Sequence, residues 1–355
     1  MSPETARHRA GLRLAFAATL ALVWGTMGGE PLPGLTAVLA AQILVAMPRP
    51  PRPGQAVALV AVIAGTGGAA FAVAAAFADR LLMLTAALGL LFFLGFAMRE
   101  RAAGRPSLPA TMLLNATAVV PVLTVQADIL GAGVLGVLVA AAVRAMLVVW
   151  LLYALFPAPQ EEAATGGPDG ATPATGTPVT RHSGAARTLA KVVIVLPAQL
   201  FYLAEPTALA FPALLGLVTF LSAQDPAAGR AQLIILLLGN LVGSVAAAAG
   251  SAALEVGPPL PALTLMALLG SLGFARWIIS AGRRPGGAVA LTGLVTFLML
   301  FGLAASPTSF DVPVLDRIAD IGVLSFYTVG ATALLLPSPE PMVRCHGRPL
   351  GGQFA

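Results

Sequence analysis

Apolar stretches follow one another along nearly the whole chain, at 12–29, 33–47, 55–78, 81–98, 108–126, 129–156, 188–204, 207–223, 231–253, 259–280, 287–305 and 318–336. Short connections containing Pro, Gly or charged residues separate them. A hydrocarbon core about 30 Å thick takes about 20 helical residues to cross. Backbone in lipid must satisfy its own hydrogen bonds, which leaves the helix few rivals. The pattern therefore predicts an all-α polytopic integral membrane protein with about 12 transmembrane helices. The stretch at 33–47 is short, as expected of a tilted, half-inserted or shielded helix.

One segment breaks the pattern. Residues 158–184 hold Glu161, Glu162, Pro168, Asp169, Pro173 and Pro178 among many glycines and few large apolar residues. Such a segment cannot bury enough apolar surface to fold, so it is expected to be a flexible linker. It divides the chain into 1–157 and 185–337, with a tail at 338–355, and the two long parts resemble each other. Arg7, His8 and Arg13 recur as Arg181, His182 and Arg187. Glu30-Pro31 recurs as Glu205-Pro206, Gly54 as Gly229 and Gly68 as Gly243. Leu94-Gly95-Phe96-Ala97 recurs as Leu272-Gly273-Phe274-Ala275. With six spans each, both halves enter the membrane in the same sense, which predicts two parallel six-helix repeats about an axis along the membrane normal.

Composition narrows the function. Of 355 residues, 58% are hydrophobic and only 10% charged, with mean hydropathy +0.89. A soluble domain carries about 25% charged residues, so a soluble enzyme is excluded. The basic excess (Lys+Arg 20, Asp+Glu 15) sits between apolar runs, which points to membrane orientation and not to nucleic acid. With Arg7, Arg9 and Arg13 placed on the cytoplasmic side, Arg49, Arg52, Arg99, Arg101, Arg187, Lys191, Arg230, Arg283 and Arg284 fall there too. The opposite side keeps Arg80 and Arg317 among Glu30, Asp79, Asp128, Glu205 and Glu255. This alternation predicts cytoplasmic N and C termini in the inner (plasma) membrane. Trp24, Trp150 and Trp277 lie toward span ends, as an interfacial belt would place them. The single cysteine, Cys345, leaves no intramolecular disulfide.

Enzyme signatures are nearly absent. His8, His182 and His346 lie at termini or in the linker, and no His/Cys/Asp cluster has metal-ligand spacing. No Walker-type phosphate loop is present, and no cofactor is expected. The residue that stands out is Arg144, near the middle of 129–156. An Arg at that depth costs about 2.5–3.5 kcal/mol on insertion scales. Ala140, Gly136 and Gly133 precede it on the same helical face, so a neighbouring helix is expected to approach closely there. Two roles fit it: a fork for the carboxylate of an anionic substrate, or a tie between helix ends. Thr36, Gln42, Thr66, Asn115, Gln199, Tyr202 and Asn240 are further substrate-binding candidates, and each also suits inter-helix hydrogen bonding. Gly65, Gly67, Gly68, Gly239 and Gly243 are expected at close helix contacts, and Pro121, Pro197 and Pro212 at kinks. No Asp or Glu is deep in a span; Glu30 and Glu205 are the candidate proton-coupling pair, although a carboxylate between spans is ordinarily solvated.

Three features carry a family resemblance. A basic start leads into the first span. The run Pro33-Gly34-Leu35-Thr36-Ala37-Val38-Leu39-Ala40-Ala41-Gln42 follows a short outer loop, and Gly65-Thr66-Gly67-Gly68 lies in the third span. In these, and in its six-span halves, the chain resembles the aromatic acid exporter and fusaric acid resistance-like membrane family. It is a compact form, with only a linker and a short tail where larger members carry sizeable cytoplasmic domains. The resemblance implies an efflux permease for aromatic or other organic acids, with a small organic anion as substrate and a periplasmic membrane-fusion adaptor and further copies of the chain as candidate partners beside the lipid bilayer. A major-facilitator transporter would also have two six-span halves, but Pro48-Arg49-Pro50-Pro51-Arg52-Pro53-Gly54 lacks that family's Gly–Asp–Arg motif between spans two and three. A membrane scaffold or assembly subunit without transport is the alternative from another class.

Overall fold

A computed structural model describes residues 3–47, 49–102, 107–126, 133–157, 182–204, 226–255, 260–282 and 285–305, with short stretches between 214 and 221 and between 322 and 335. Ten long helices run through the described residues: α1 (Pro3–Met27), α2 (Pro33–Ala46), α3 (Pro53–Phe77), α4 (Leu81–Arg101), α5 (Leu108–Gln126), α6 (Val134–Leu155), α7 (His182–Ala204), α8 (Pro226–Glu255), α9 (Leu260–Ala281) and α10 (Pro285–Ala304). No strand occurs among these residues. Eight of the helices are long and apolar enough to cross a membrane, and α2 and α5 are shorter apolar helices. The chain is thus a multi-pass helical membrane protein. Of the two remaining expected spans, 207–223 and 318–336, only scattered helical turns are described, and most of the expected linker and the tail lie outside the described residues. Helix α7 takes in His182, Ser183 and Gly184, which the sequence pattern assigns to the linker.

Local chemistry explains the helix boundaries. Pro33, Pro53 and Pro285 open α2, α3 and α10, where a missing N–H costs no helical hydrogen bond. The Gln55 side chain accepts from the Arg52 backbone N–H at 3.0 Å and closes the first turn of α3. Gly29 and Gly282 follow α1 and α9 with φ of 65° and 56°, backbone angles that stop a helix and favour glycine.

Helices α1 and α2 form an antiparallel pair against α6, and α3 packs on both α5 and α6. In the later part, α8 and α9 pack on α10. The two parts interlock, with α1 lying on α9, α4 on α7, and α2 on α10. Glycine makes the tightest of these crossings. A Cβ on Gly34 would strike the Leu298 carbonyl, and one on Gly302 would lie 2.6 Å from the Gly34 nitrogen. Gly243 meets the Gly293 carbonyl in the same way, and Gly67 faces Leu138. Gly65 is different, since no described atom lies within 4 Å of its Cβ position. It does not serve close packing among the described residues.

At the end of the bundle where the arginines gather, polar groups tie helix ends together. Arg13 is buried; its Nη1 donates to the Phe156 carbonyl at 3.4 Å and its guanidinium lies over the Tyr153 ring. A cation is favoured there because the last carbonyls of α6 are negative. The Tyr153 hydroxyl donates to the Met47 carbonyl (2.6 Å), and Trp150 Nε1 donates to the Pro51 carbonyl (2.9 Å). Trp150, expected in an interfacial belt, thereby holds the α2–α3 connection. On α7, Lys191 is only 5% exposed and its Nζ lies 3.3 Å from Glu100 Oε1 on α4; the Thr188 hydroxyl donates to Glu100 Oε2 at 2.8 Å. This pair clamps α7 to α4 across the two parts of the chain.

Candidate functional site

The site grows out of the register of α1, α2 and α6. Arg13 fixes the register by reaching Phe156 at the end of α6. From there Arg144 lies about 12 residues up the helix, or about 18 Å at about 1.5 Å per residue. The turn between α1 and α2 reaches the same level. After Met27 the chain bends at Gly28 and Gly29, and the Glu30 backbone N–H donates back to the Gly25 carbonyl at 3.0 Å. That fold-back brings the Glu30 carboxylate onto Arg144: Oε1 pairs with the guanidinium Nη1, and the Thr36 hydroxyl donates to Oε2 at 3.2 Å. Gly25 makes room, since a Cβ there would lie 3.0 Å from Glu30 Oε2.

The pair lies about 15 Å from either end of α6, at the middle depth of a helix long enough to cross a bilayer. Glu30 is 6% exposed, whereas the Arg144 side chain keeps 31%. Glu30 is therefore no solvated loop carboxylate: with Arg13 level with Phe156, the turn between α1 and α2 falls beside the middle of α6. The same register explains a second departure. Gly133 and Gly136, expected under a closely packed neighbour, have no described atom within 4 Å of their Cβ positions. Above Arg144 this face of α6 is open among the described residues.

Near the pair lies an apolar cavity of about 80 Å³, although neither Glu30 nor Arg144 is in its lining. Helices α2, α3, α5 and α6 form its walls, with Leu215 from the later part of the chain. Leu32, two residues beyond Glu30, and Val137, two turns before Arg144, are in the lining. The polar side chains in it are Gln42, Thr66 and Asn115, three sequence-derived candidates that three different helices bring together. Thr66 turns its hydroxyl back to the Val62 carbonyl at 2.7 Å, which leaves the two amides as its main polar features. An apolar pocket with a few convergent polar groups beside a charged residue is the usual build of a small-molecule site.

The other candidates lie elsewhere. Thr36 belongs to the Glu30 pair. Gln199 on α7 donates through Nε2 to the Ala118 carbonyl (3.1 Å), in the turn of α5 that precedes Pro121, and its buried Oε1 has no hydrogen bond among the described residues. Asn240 accepts from the Thr296 hydroxyl at 2.7 Å where α8 crosses α10. Tyr202 is fully buried against the edge of Phe201. Gln199 and Asn240 thus act between helices. Glu205 lies outside the described residues. Glu100, which pairs with Lys191, carried no sequence signal beyond a lone acid among the basic residues ending α4. Among the described residues no group of three His, Cys, Asp or Glu side chains could hold a metal. No family model matches the chain, and neither a curated protein nor a solved structure matches it.

Proposed function

We propose that this chain is an inner-membrane transporter that exports aromatic or other organic acids. The observation that carries the reading is Arg144 at the middle of α6, two turns from Val137, which lines an apolar cavity with two amides at its wall. Arg144 has five N–H donors, more than one carboxylate oxygen engages, and its side chain is not sealed off. An aromatic ring suits the apolar walls, and a carboxylate suits the guanidinium. Gln42 and Asn115 then select among ring substituents.

The wider architecture belongs to the same reading: about 12 helices in two six-helix repeats, both termini cytoplasmic. Reciprocal packing supports the repeat. The trio α3, α4, α5 packs among itself as α8, α9, α10 does, and α1 lies on α9 and α10 as α7 lies on α4 and α5. The clustering of Arg13, Arg99, Arg101 and Lys191 at one end supports the orientation. Membership of the aromatic acid exporter and fusaric acid resistance-like family rests on the sequence motifs, and with it a periplasmic membrane-fusion adaptor and self-association as partners.

The test is efflux of benzoate from cells with and without the gene, at several external pH values, with membrane abundance measured in parallel. Gene-dependent efflux that falls at least several-fold in Asn115→Leu at unchanged abundance is the expected result. Equal efflux with and without the gene, for benzoate and other aromatic carboxylates alike, would refute it and favour a scaffold.

A further inference from the structure

Glu30 places a carboxylate on the very group that the proposed substrate needs. We infer that this carboxylate is a resident stand-in, and that an incoming substrate anion displaces it from Arg144 while Glu30 takes up one proton. The inference rests on the transporter reading and adds the sense and stoichiometry of coupling.

Charge is the reason. In the empty site Arg144 and Glu30 neutralise each other. If a substrate carboxylate joins them and nothing else changes, two anions share one guanidinium at mid-depth, and burying an uncompensated charge is costly. Protonation of Glu30 removes the excess: the guanidinium then pairs with the substrate, and the neutral Glu30 carboxyl keeps Thr36 as a hydrogen-bond partner. The net charge of the site is zero in both states. The proton comes from bulk water and returns there when the substrate leaves; no other bond forms or breaks.

No other described group near Glu30 can take that proton or supply a second cation. The elements packed on α1 and α2 are α6, α9 and α10. Helix α6 brings Arg144, and its Tyr153 is at the far end on the Met47 carbonyl. Helix α10 has no ionisable side chain, and the one charge on α9, Arg276, is exposed about a turn from Ile279, which meets Gly11 near the basic end of α1. Helix α2 has none, and the charges of α1 itself end at Arg13.

Proton and carboxylate therefore bind together and do not compete. The chain moves a monocarboxylate with one proton, electroneutrally, and drives efflux from the substrate's own gradient. Because the bound form holds one more proton than the free form, binding strengthens as pH falls.

The experiment is calorimetric titration of the purified full chain with benzoate, in buffers of differing ionisation heat, across about pH 6–8. Uptake of close to one proton per benzoate is expected, with affinity falling up to about tenfold per pH unit as pH rises. Neutral benzamide should take up none. In Glu30→Gln the proton uptake should vanish, and benzoate should bind at pH 8 at least about tenfold more tightly than to wild type, with little pH dependence. Benzoate binding to wild type without proton uptake would overturn the exchange and leave the transporter reading standing. The same proton uptake with benzamide would also overturn it. Absence of benzoate binding to both wild type and Glu30→Gln would overturn the exchange together with the reading beneath it.

Discussion

The Glu30–Arg144 pair makes a quantitative prediction about stability that is separate from transport. In Arg144→Gln, the Glu30 carboxylate stays 94% covered and keeps, among the described residues, only the Thr36 hydroxyl as a polar partner. Breaking a buried ion pair from one side costs about 3–5 kcal/mol, because the remaining charge is left uncompensated. Glu30→Gln is milder: Arg144 keeps 31% exposure, so solvent screens much of the charge and a cost of about 1–2 kcal/mol is expected. The double variant Glu30→Gln, Arg144→Gln removes both charges and leaves two amides of similar size facing each other. It should be more stable than Arg144→Gln alone, with a coupling energy of about 2–3 kcal/mol. Thermal and denaturant unfolding of the purified variants in one detergent, with membrane abundance of fluorescent fusions as a cross-check, closes the cycle. If the double variant loses the sum of the two single losses, the carboxylate and the guanidinium do not interact and the site as described is wrong.

Three further outcomes follow from other parts of the molecule. Gly243→Ala should lower membrane abundance strongly, because its Cβ would strike the Gly293 carbonyl, while Gly65→Ala, whose Cβ meets no described atom, should leave abundance unchanged; equal losses in the two would sink the close-crossing account. Glu100→Gln strands the 5% exposed Lys191 and should cost about 3–5 kcal/mol, whereas Lys191→Met, leaving a carboxylate that is 20% exposed, should cost less; unfolding midpoints of the two variants give the order. In a Cys345→Ser background, single cysteines at Gly170 and Pro258 should react with an impermeant thiol reagent from opposite sides of the membrane, and labelling from the same side would refute the span count.

Much of the architecture is written in the order of side chains. Apolar runs with helix-breaking ends fix where helices form, because lipid leaves the backbone no other partner than itself. The excess of arginine at alternate connections is what the proposed orientation rests on. Arg144 is conspicuous for the same reason, since a charge within an apolar run is expensive wherever it ends up. The convergence of Gln42, Thr66 and Asn115 is legible only as three isolated polar residues in three spans; that they share one wall depends on how α2, α3 and α5 are rotated about their axes. Packing sets that rotation, and the near-uniform hydrophobicity of these helices gives little periodic signal for it. The partner of Arg144 is beyond the sequence altogether. Glu30 reads as a loop carboxylate, and only the register of α1 and α2 against α6, with the return hydrogen bond to Gly25, carries it to the middle of α6. The same holds for Glu100, whose partner lies 91 residues along the chain on α7. Sequence decides which groups must be neutralised; the relative lengths and crossings of helices decide which group does it.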